Sequence, residues 1–460
     1  MRAALVVLAC ALVWAPGCRD RPGERQIRLA LEAGAGVVQL PAGTVTVSAE
    51  IAIPEGAHGL TIRGAPTGTI LRAADGFQGR ALLVSKSARG LSLEGFAIDG
   101  NRARLEKPSG LPPSNVPFSR FSRNNGILIE DADSLAVSGV KFREVAGFPI
   151  LVARSRNVRI ERVVIEDSGS RDAAGHNNAS GGILLEEGTA QFQVRDCRIA
   201  RVRGNGIWTH SIAGSPRASD GAIAGNAFEE LARDAIQVGH ATAIRVENNR
   251  GHRIGYPVSD IDPNGQPVAI DTAGNVDRSA YVGNRFEEID GKCIDLDGFH
   301  DGEVRANVCI NRGPRAAYPF GHFGIVMNNT DPGMQSAAID IAGNQIDGAV
   351  YGGIFLLGSG HRIVDNRLEN LNLAGCTPGK AGCSLWADEP KLLGSGIYLG
   401  KRAERPAVTR DNVVRGNTIS GFGMERNCIA AAPGVSLKEN RVGPNVCTGS
   451  GVAPPASRQQ

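Results

Sequence analysis

The sequence predicts an all-β solenoid, many short strands wound into coils and stacked along one axis. Three observations predict it. A Gly-Ile phrase recurs along the chain, and an asparagine closes a second recurring phrase. Glycine is very frequent, at 60 of 460 residues, while aromatics make up only 5%. Frequent glycine between short apolar runs means tight turns joining short strands. A chain of 460 residues is also longer than one ordinary core requires. Lys+Arg (50) and Asp+Glu (47) nearly balance. The chain therefore has no basic excess for a polyanion, and nucleic acid is not an expected partner.

The first element is a targeting segment. Arg2 precedes the apolar run 3–14, which is too short to span a bilayer and fits a secretory signal. The run ends at Ala15-Pro16-Gly17-Cys18, followed by Arg19-Asp20-Arg21. That ending resembles a bacterial lipobox, which implies lipidation of Cys18. Ala15 and Pro16 depart from the usual pattern, and plain cleavage with secretion is the alternative. Residues 1–18 are read as signal, and no later run is long enough to cross a membrane. An exported protein is expected, in the bacterial outer membrane or periplasm as a lipoprotein, or extracellular. Its membrane contact would be through the lipid alone.

Residues 24–33 read as a short amphipathic helix with Ile27, Ala30 and Leu31 on one face, stopped by Gly34. The strand-like segments Val37–Thr44 and Leu60–Gly64 follow. A solenoid needs its open end covered, and a helix before the first coil does that.

The repeat then begins. Its first phrase is Gly126-Ile127-Leu128-Ile129, returning at Ile150, Ile183, Ile207, Ile236, Ile270, Ile294, Ile325, Ile354, Ile397 and Ile429. Its second phrase ends in Asn249, Asn284, Asn307, Asn344, Asn366, Asn417 and Asn440. Where no insertion intervenes the period is about 22–24 residues, the spacing of a solenoid. Val, Ile and Leu suit a pleated, half-buried surface. The asparagines tolerate left-handed turns and can stack into ladders. One coil cannot bury its inner face, but a stack can. Residues 19–449 are read as this single domain, expected to be a monomer, and 450–460 as a disordered tail.

The capping helix, the strand "VVQLPAGT", the strand "LTIRG" and the Gly-Ile and Gly-Asn coils together resemble the pectate-lyase-like superfamily. The resemblance covers roughly residues 24–450 and implies a right-handed parallel β-helix. It says little about chemistry, because that superfamily holds lyases, hydrolases, epimerases, tailspikes and non-catalytic proteins.

An exported chain can keep disulfides. Cys376–Cys383 and Cys428–Cys447 are the expected pairs, Cys293–Cys309 a weaker one, and Cys197 is left free and buried. No CxxC spacing suggests zinc.

If each repeat isoleucine points inward, the next residue points out. The outward column then reads Leu128, Leu151, Leu184, Trp208, Gln237, Asp271, Asp295, Val326, Phe355 and Tyr398. Two residues further on stand Glu130, Glu186, His210, Asp297 and Asn328. The centre is acidic, with Asp271, Asp295 and Asp297, and aromatics lie at both ends. Trp208, Phe355 and Tyr398 are candidate sugar platforms, with His210 and Gln237 beside them. The plain alternative is a solvated sheet face carrying scattered side chains.

Asp271 and Asp295 on adjacent coils would lie roughly 5 Å apart. Either one carboxyl is forced to keep its proton, or Ca²⁺ bridges the two. Arginine filling the gap is the structural alternative. The densest segment is Asp290–Gly302, where Lys292 and His300 are candidate bases or clamps. It is similar to the Asp-rich strand of polygalacturonase-like hydrolases, but lacks their Asp-Asp pair and their Gly-His-Gly and Arg-Ile-Lys signatures. Insertions at 102–123, 167–180, 252–268, 312–322 and 372–394 flank the same sheet and would wall a groove. They contribute Arg312, Arg315 and His322 as candidate substrate contacts, the arginines suiting a carboxylate.

Two functions remain open. One is a carbohydrate-active enzyme working on an acidic polysaccharide as lyase, hydrolase or epimerase. The other is a non-catalytic surface lipoprotein that binds glycan or a protein partner.

Overall fold

A computed structural model describes residues 22–34, 36–108, 110–177, 180–330, 333–334 and 336–450. The leader, Cys18 and the tail beyond Ser450 lie outside them. Every strand pairing is parallel, and each strand meets its counterpart one coil away, so the chain climbs as a β-helix with three faces. One face is built of 14 strands, from Gly43–Val47 to Val446–Ser450. The other two merge into one continuous sheet, because strands such as Ile236–Glu247 and Val268–Asp277 run round the corner between them.

The repeat isoleucines fill the core. Ile127, Ile150, Ile183, Ile207, Ile236, Ile270 and Ile294 are all buried, each beside its equivalent on the next coil. Strand sides alternate, so this inward register fixes the outward one. The helix Pro22–Glu32 closes the first coil with Ile27 and Leu31 buried beneath it. Glu24 anchors it, accepting hydrogen bonds from the Ser48 backbone N–H (2.9 Å) and hydroxyl (2.7 Å).

One corner is held by an asparagine ladder. Asn226, Asn249, Asn284, Asn307, Asn344, Asn366, Asn417 and Asn445 each donate an amide N–H to, or accept one from, the asparagine on the neighbouring coil, at 2.8–3.0 Å. Each side-chain oxygen also takes the previous asparagine's backbone N–H, at 2.9–3.1 Å. The expected member Asn440 is not in this ladder. It receives a hydrogen bond from Asn412 at a different corner, and Asn445 takes the place expected for it. Cys197 occupies the position below the ladder, its backbone N–H donating to Asn226 Oδ1 at 3.0 Å, and its thiol is free and buried. The sulfurs of Cys293–Cys309, Cys376–Cys383 and Cys428–Cys447 are bonded.

A buried ladder asparagine satisfies several backbone groups at once, and losing it orphans them. Asn284→Ala should therefore cost on the order of 2–3 kcal/mol in denaturant unfolding. Asn445→Ala, at the half-exposed end of the ladder, should cost distinctly less.

Candidate functional site

The outward column forms as a register-aligned row. Trp208 pairs with Gln237 and Gln237 with Asp271; Asp295 follows one coil on, then Val326, Phe355 and Tyr398. The insertions do more than wall this row; they cover most of it. Phe118, from the 102–123 insertion, and Phe148 seal Leu128, Leu151, Leu184 and Trp208 into an apolar cluster outside the main core. Phe355 and Tyr398 are only 4% and 1% exposed, stacked on each other, with Trp386 of the 372–394 insertion against Phe355. The three aromatics expected as sugar platforms therefore have no open face; they anchor loops to the sheet.

The polar centre stays between these covered ends. The Lys292 ammonium donates to Asp295 Oδ2 at 2.5 Å. Gln237 donates its amide to Asp271 Oδ2 at 2.5 Å and accepts from Asn205 at 2.9 Å. Asp234 joins them, its Oδ1 accepting the Val268 backbone N–H at 2.9 Å and its Oδ2 3.7 Å from Arg233. Burial drives the Asp271 carboxyl well above the ordinary carboxylate range, and the neighbouring Asp234 and Asp295 push it further. Asp234 is likewise pushed up to about 6, by burial first. Burial alone would depress the Lys292 ammonium, but Asp295, Asp271 and Asp234 hold it above its usual value. His322 lies close enough to feel the Lys292 charge; burial, then that charge, lowers it to about 3, so it is a neutral imidazole. Asp295 Oδ1 is shielded and has no hydrogen-bond partner.

The site thus brings together Gln237, Asp271, Asp295, Lys292 and His322. Asp297 stands two residues along, its Oδ1 accepting the Thr330 N–H at 2.9 Å, and burial raises its pKa. The other candidates are placed elsewhere. His300 sits on the strand Phe299–Arg305, bonded to Asp301 and Asn275. Arg312 is 71% exposed and 3.5 Å from Asp347, while Arg315 donates to the Tyr318 carbonyl at 2.9 Å. His210 packs against Trp208 and Phe118. Among the described residues, no arginine forms an ion pair with Asp271 or Asp295; the cation on Asp295 is Lys292. With Lys292 on Asp295 and Gln237 on Asp271, these residues do not fit a Ca²⁺ bridge between the two carboxylates.

Asn205 and Asp234 escaped the sequence reading. Both sit three residues before an outward position (Trp208 and Gln237), as Lys292 sits three before Asp295. Following that second row along the repeat would have found them. Gly204 admits Asn205 to its place: at φ +145°, a Cβ there would meet the Ser180 carbonyl oxygen at 1.7 Å.

The walls are tied to one another. Arg171 clamps Asp260 bidentately at 2.8–3.1 Å, Glu106 takes the Arg203 guanidinium at 2.9 Å, and Tyr256 donates to the Ala317 carbonyl at 2.8 Å. The Arg171 backbone N–H also donates to Glu106 at 2.8 Å, so the 102–123, 167–180, 252–268 and 312–322 insertions are joined in one chain of contacts.

The family model for a right-handed beta helix region matches residues 114–259. The fold is the right-handed parallel β-helix. No curated protein matches the chain. Among solved structures it is similar to the Streptococcus pneumoniae surface adhesin PfbA, at 13% identity over 87% of each chain, TM-score 0.50. It is similar to an N-terminal fragment of bacteriophage phi29 gene product 12, at 14% identity over 88% of this chain and 67% of the other, TM-score 0.56. It is also similar to DFA-IIIase from Arthrobacter chlorophenolicus A6 without its lid, at 14% identity over 77% and 94%, TM-score 0.50. The chain spans about half (54%) of a Geobacillus virus E2 protein, ORF18, at 14% identity and TM-score 0.48. At such identities the likeness is one of fold, and the β-helix carries the site described above.

The Asp234 shift predicts a pH effect. Its folded-state pKa, about 6, lies above the ordinary 3.8. The Asp234 contribution to stability should be fully present below about pH 4 and be lost as pH rises through about 6. Asp234→Asn should flatten that fall by about 2 kcal/mol, measured by unfolding at pH 4 and pH 7.5.

Proposed function

We propose that this chain is an exported glycan-cleaving enzyme, with Asp271 as general acid and Asp295, held by Lys292, as its charged partner. The observation that carries the reading is a buried carboxyl, its pKa driven well above the ordinary range, one coil away from an ion-paired carboxylate. Two carboxyls in different settings, one bonded to a neutral amide and one to an ammonium, can divide the work of glycosidic cleavage. Asp271 would give its proton to the leaving oxygen. Asp295 would activate water or meet the developing charge.

The substrate class follows from Lys292, the cation on the floor. A uronate-containing polysaccharide would place a carboxylate within its reach, and neutral imidazole at His322 would donate or accept without adding charge. Export fits the three bonded cysteine pairs. A lipid at Cys18 would keep the enzyme at an envelope surface. The neighbours in fold carry names as different as adhesin and DFA-IIIase, so fold does not choose among functions. The floor chemistry is what supports cleavage.

The test is cleavage of a panel of polyuronates and neutral glycans, read both as new reducing ends and as unsaturated-sugar absorbance. Hydrolysis of a polyuronate is expected, with Asp271→Asn and Asp295→Asn each losing about 10²–10⁴-fold in rate. Unsaturated products would move Asp295 to the role of eliminating base. Inactivity on every substrate, or full activity in both variants, contradicts the reading.

A further inference from the structure

A second cluster lies on the same sheet, where the 102–123 insertion meets the solenoid. Glu186 ends the strand Gly181–Glu186 and pairs in register with His210, which ends Asn205–His210; Glu187 follows Glu186. One ligand-type atom from each of the three lies within 4.8 Å of the others. This is not a set of surface acids. Glu186 is 0% and Glu187 6% exposed.

The charges in this pocket do not balance. Among the described residues, no lysine or arginine forms an ion pair with Glu186 or Glu187. Glu186 accepts the Phe118 and Ser119 backbone N–H groups at 2.9 and 2.6 Å, and Glu187 accepts that of Ile212 at 2.8 Å. Each of these oxygens keeps a second lone pair. His210 Nδ1 is shielded and has no hydrogen-bond partner. Adjacent buried carboxylates without a cation are costly, and an imidazole nitrogen left without a partner beside them is a free ligand atom for a metal.

We propose that Glu186, Glu187 and His210 form a site for a Zn²⁺-class divalent cation that pins the Phe118–Phe121 turn to the β-helix. Mixed nitrogen and oxygen donors suit a borderline first-row ion, whereas Ca²⁺ takes oxygen alone. Ligand bonds of about 2.0–2.2 Å require the three groups to close by about 1 Å, a small side-chain adjustment. The turn carries Phe118, whose ring lies 4.9 Å from Trp208 and 5.4 Å from His210. A cation here would fix the roof of the apolar cluster, and with it one end of the acidic cleft. The site does not depend on glycan cleavage at Asp271.

The test is titration of chelator-treated protein with Zn²⁺, Co²⁺ and Ca²⁺. One equivalent of Zn²⁺ should bind and raise the melting temperature by several degrees, with no such effect from Ca²⁺. Co²⁺ should quench Trp208, whose ring is 5.3 Å from His210. Glu187→Gln and His210→Gln should each weaken Zn²⁺ binding at least tenfold and abolish the quench, while Asp271→Asn leaves both intact. If His210→Gln does not fold, Glu187→Gln decides, since its amide oxygen can still accept the Ile212 N–H. Absence of Zn²⁺-dependent stabilisation in the unsubstituted protein overturns the proposal. So does Zn²⁺ binding of equal strength in Glu187→Gln, which would place the ion elsewhere.

Discussion

Everything in this molecule depends on coils that repeat in register, and the asparagine ladder enforces that register at one corner. A β-helix coil turns sharply three times, and each turn leaves backbone groups that only the next coil can satisfy. From Asn226 to Asn445 one side chain per coil does this, bonding both the neighbouring backbone and the neighbouring asparagine. A slip of one residue would break the ladder and turn every core isoleucine outward. The ladder thus fixes which side chains share the outward row, and puts Asp271 beside Gln237 on one coil and Asp295 on the next.

That fixed spacing makes the acidic floor chemically unusual. Three carboxyls, from Asp234, Asp271 and Asp295, meet one ammonium, from Lys292. All are substantially buried, so charge is expensive and protons are retained where no cation answers. Lys292 answers Asp295. Asp271 has a neutral amide for a partner, and its pKa is driven well up. The asymmetry comes from position along the repeat: Lys292 and Asp295 share a strand, while Asp271 faces Gln237 across a coil boundary.

The Gly-Ile phrase told which residues line the core, and strand alternation then told which face outward; Asp271, Asp295 and Lys292 were legible for that reason. The covering of the row was not. Nothing in the repeat announces that Phe118 folds back over Trp208, or that Trp386 reaches Phe355, because those contacts join segments of irregular backbone without a period. An aromatic in the outward row therefore read as a platform when it is a loop anchor. Asp234 and Asn205 were missed because they precede the repeat phrase, where the eye stops at the glycine. Asn440 misled because its phrase matches the others in spelling, although the last coil is longer than the basic period, 28 residues from Asn417 to Asn445, and places Asn445 at the ladder position.

The central claim is that Asp271 stays protonated beside an ion-paired Asp295, and it can be observed directly. Carboxyl carbon NMR of the protein labelled at aspartate, followed from pH 3 to pH 8 with Asp271→Asn for assignment, reports the protonation state of each site. The account predicts a carboxyl resonance still at its protonated position near pH 7, lost in Asp271→Asn. Aspartate resonances that are all ionised by pH 5, or a late-titrating signal unaffected by Asp271→Asn, would contradict it.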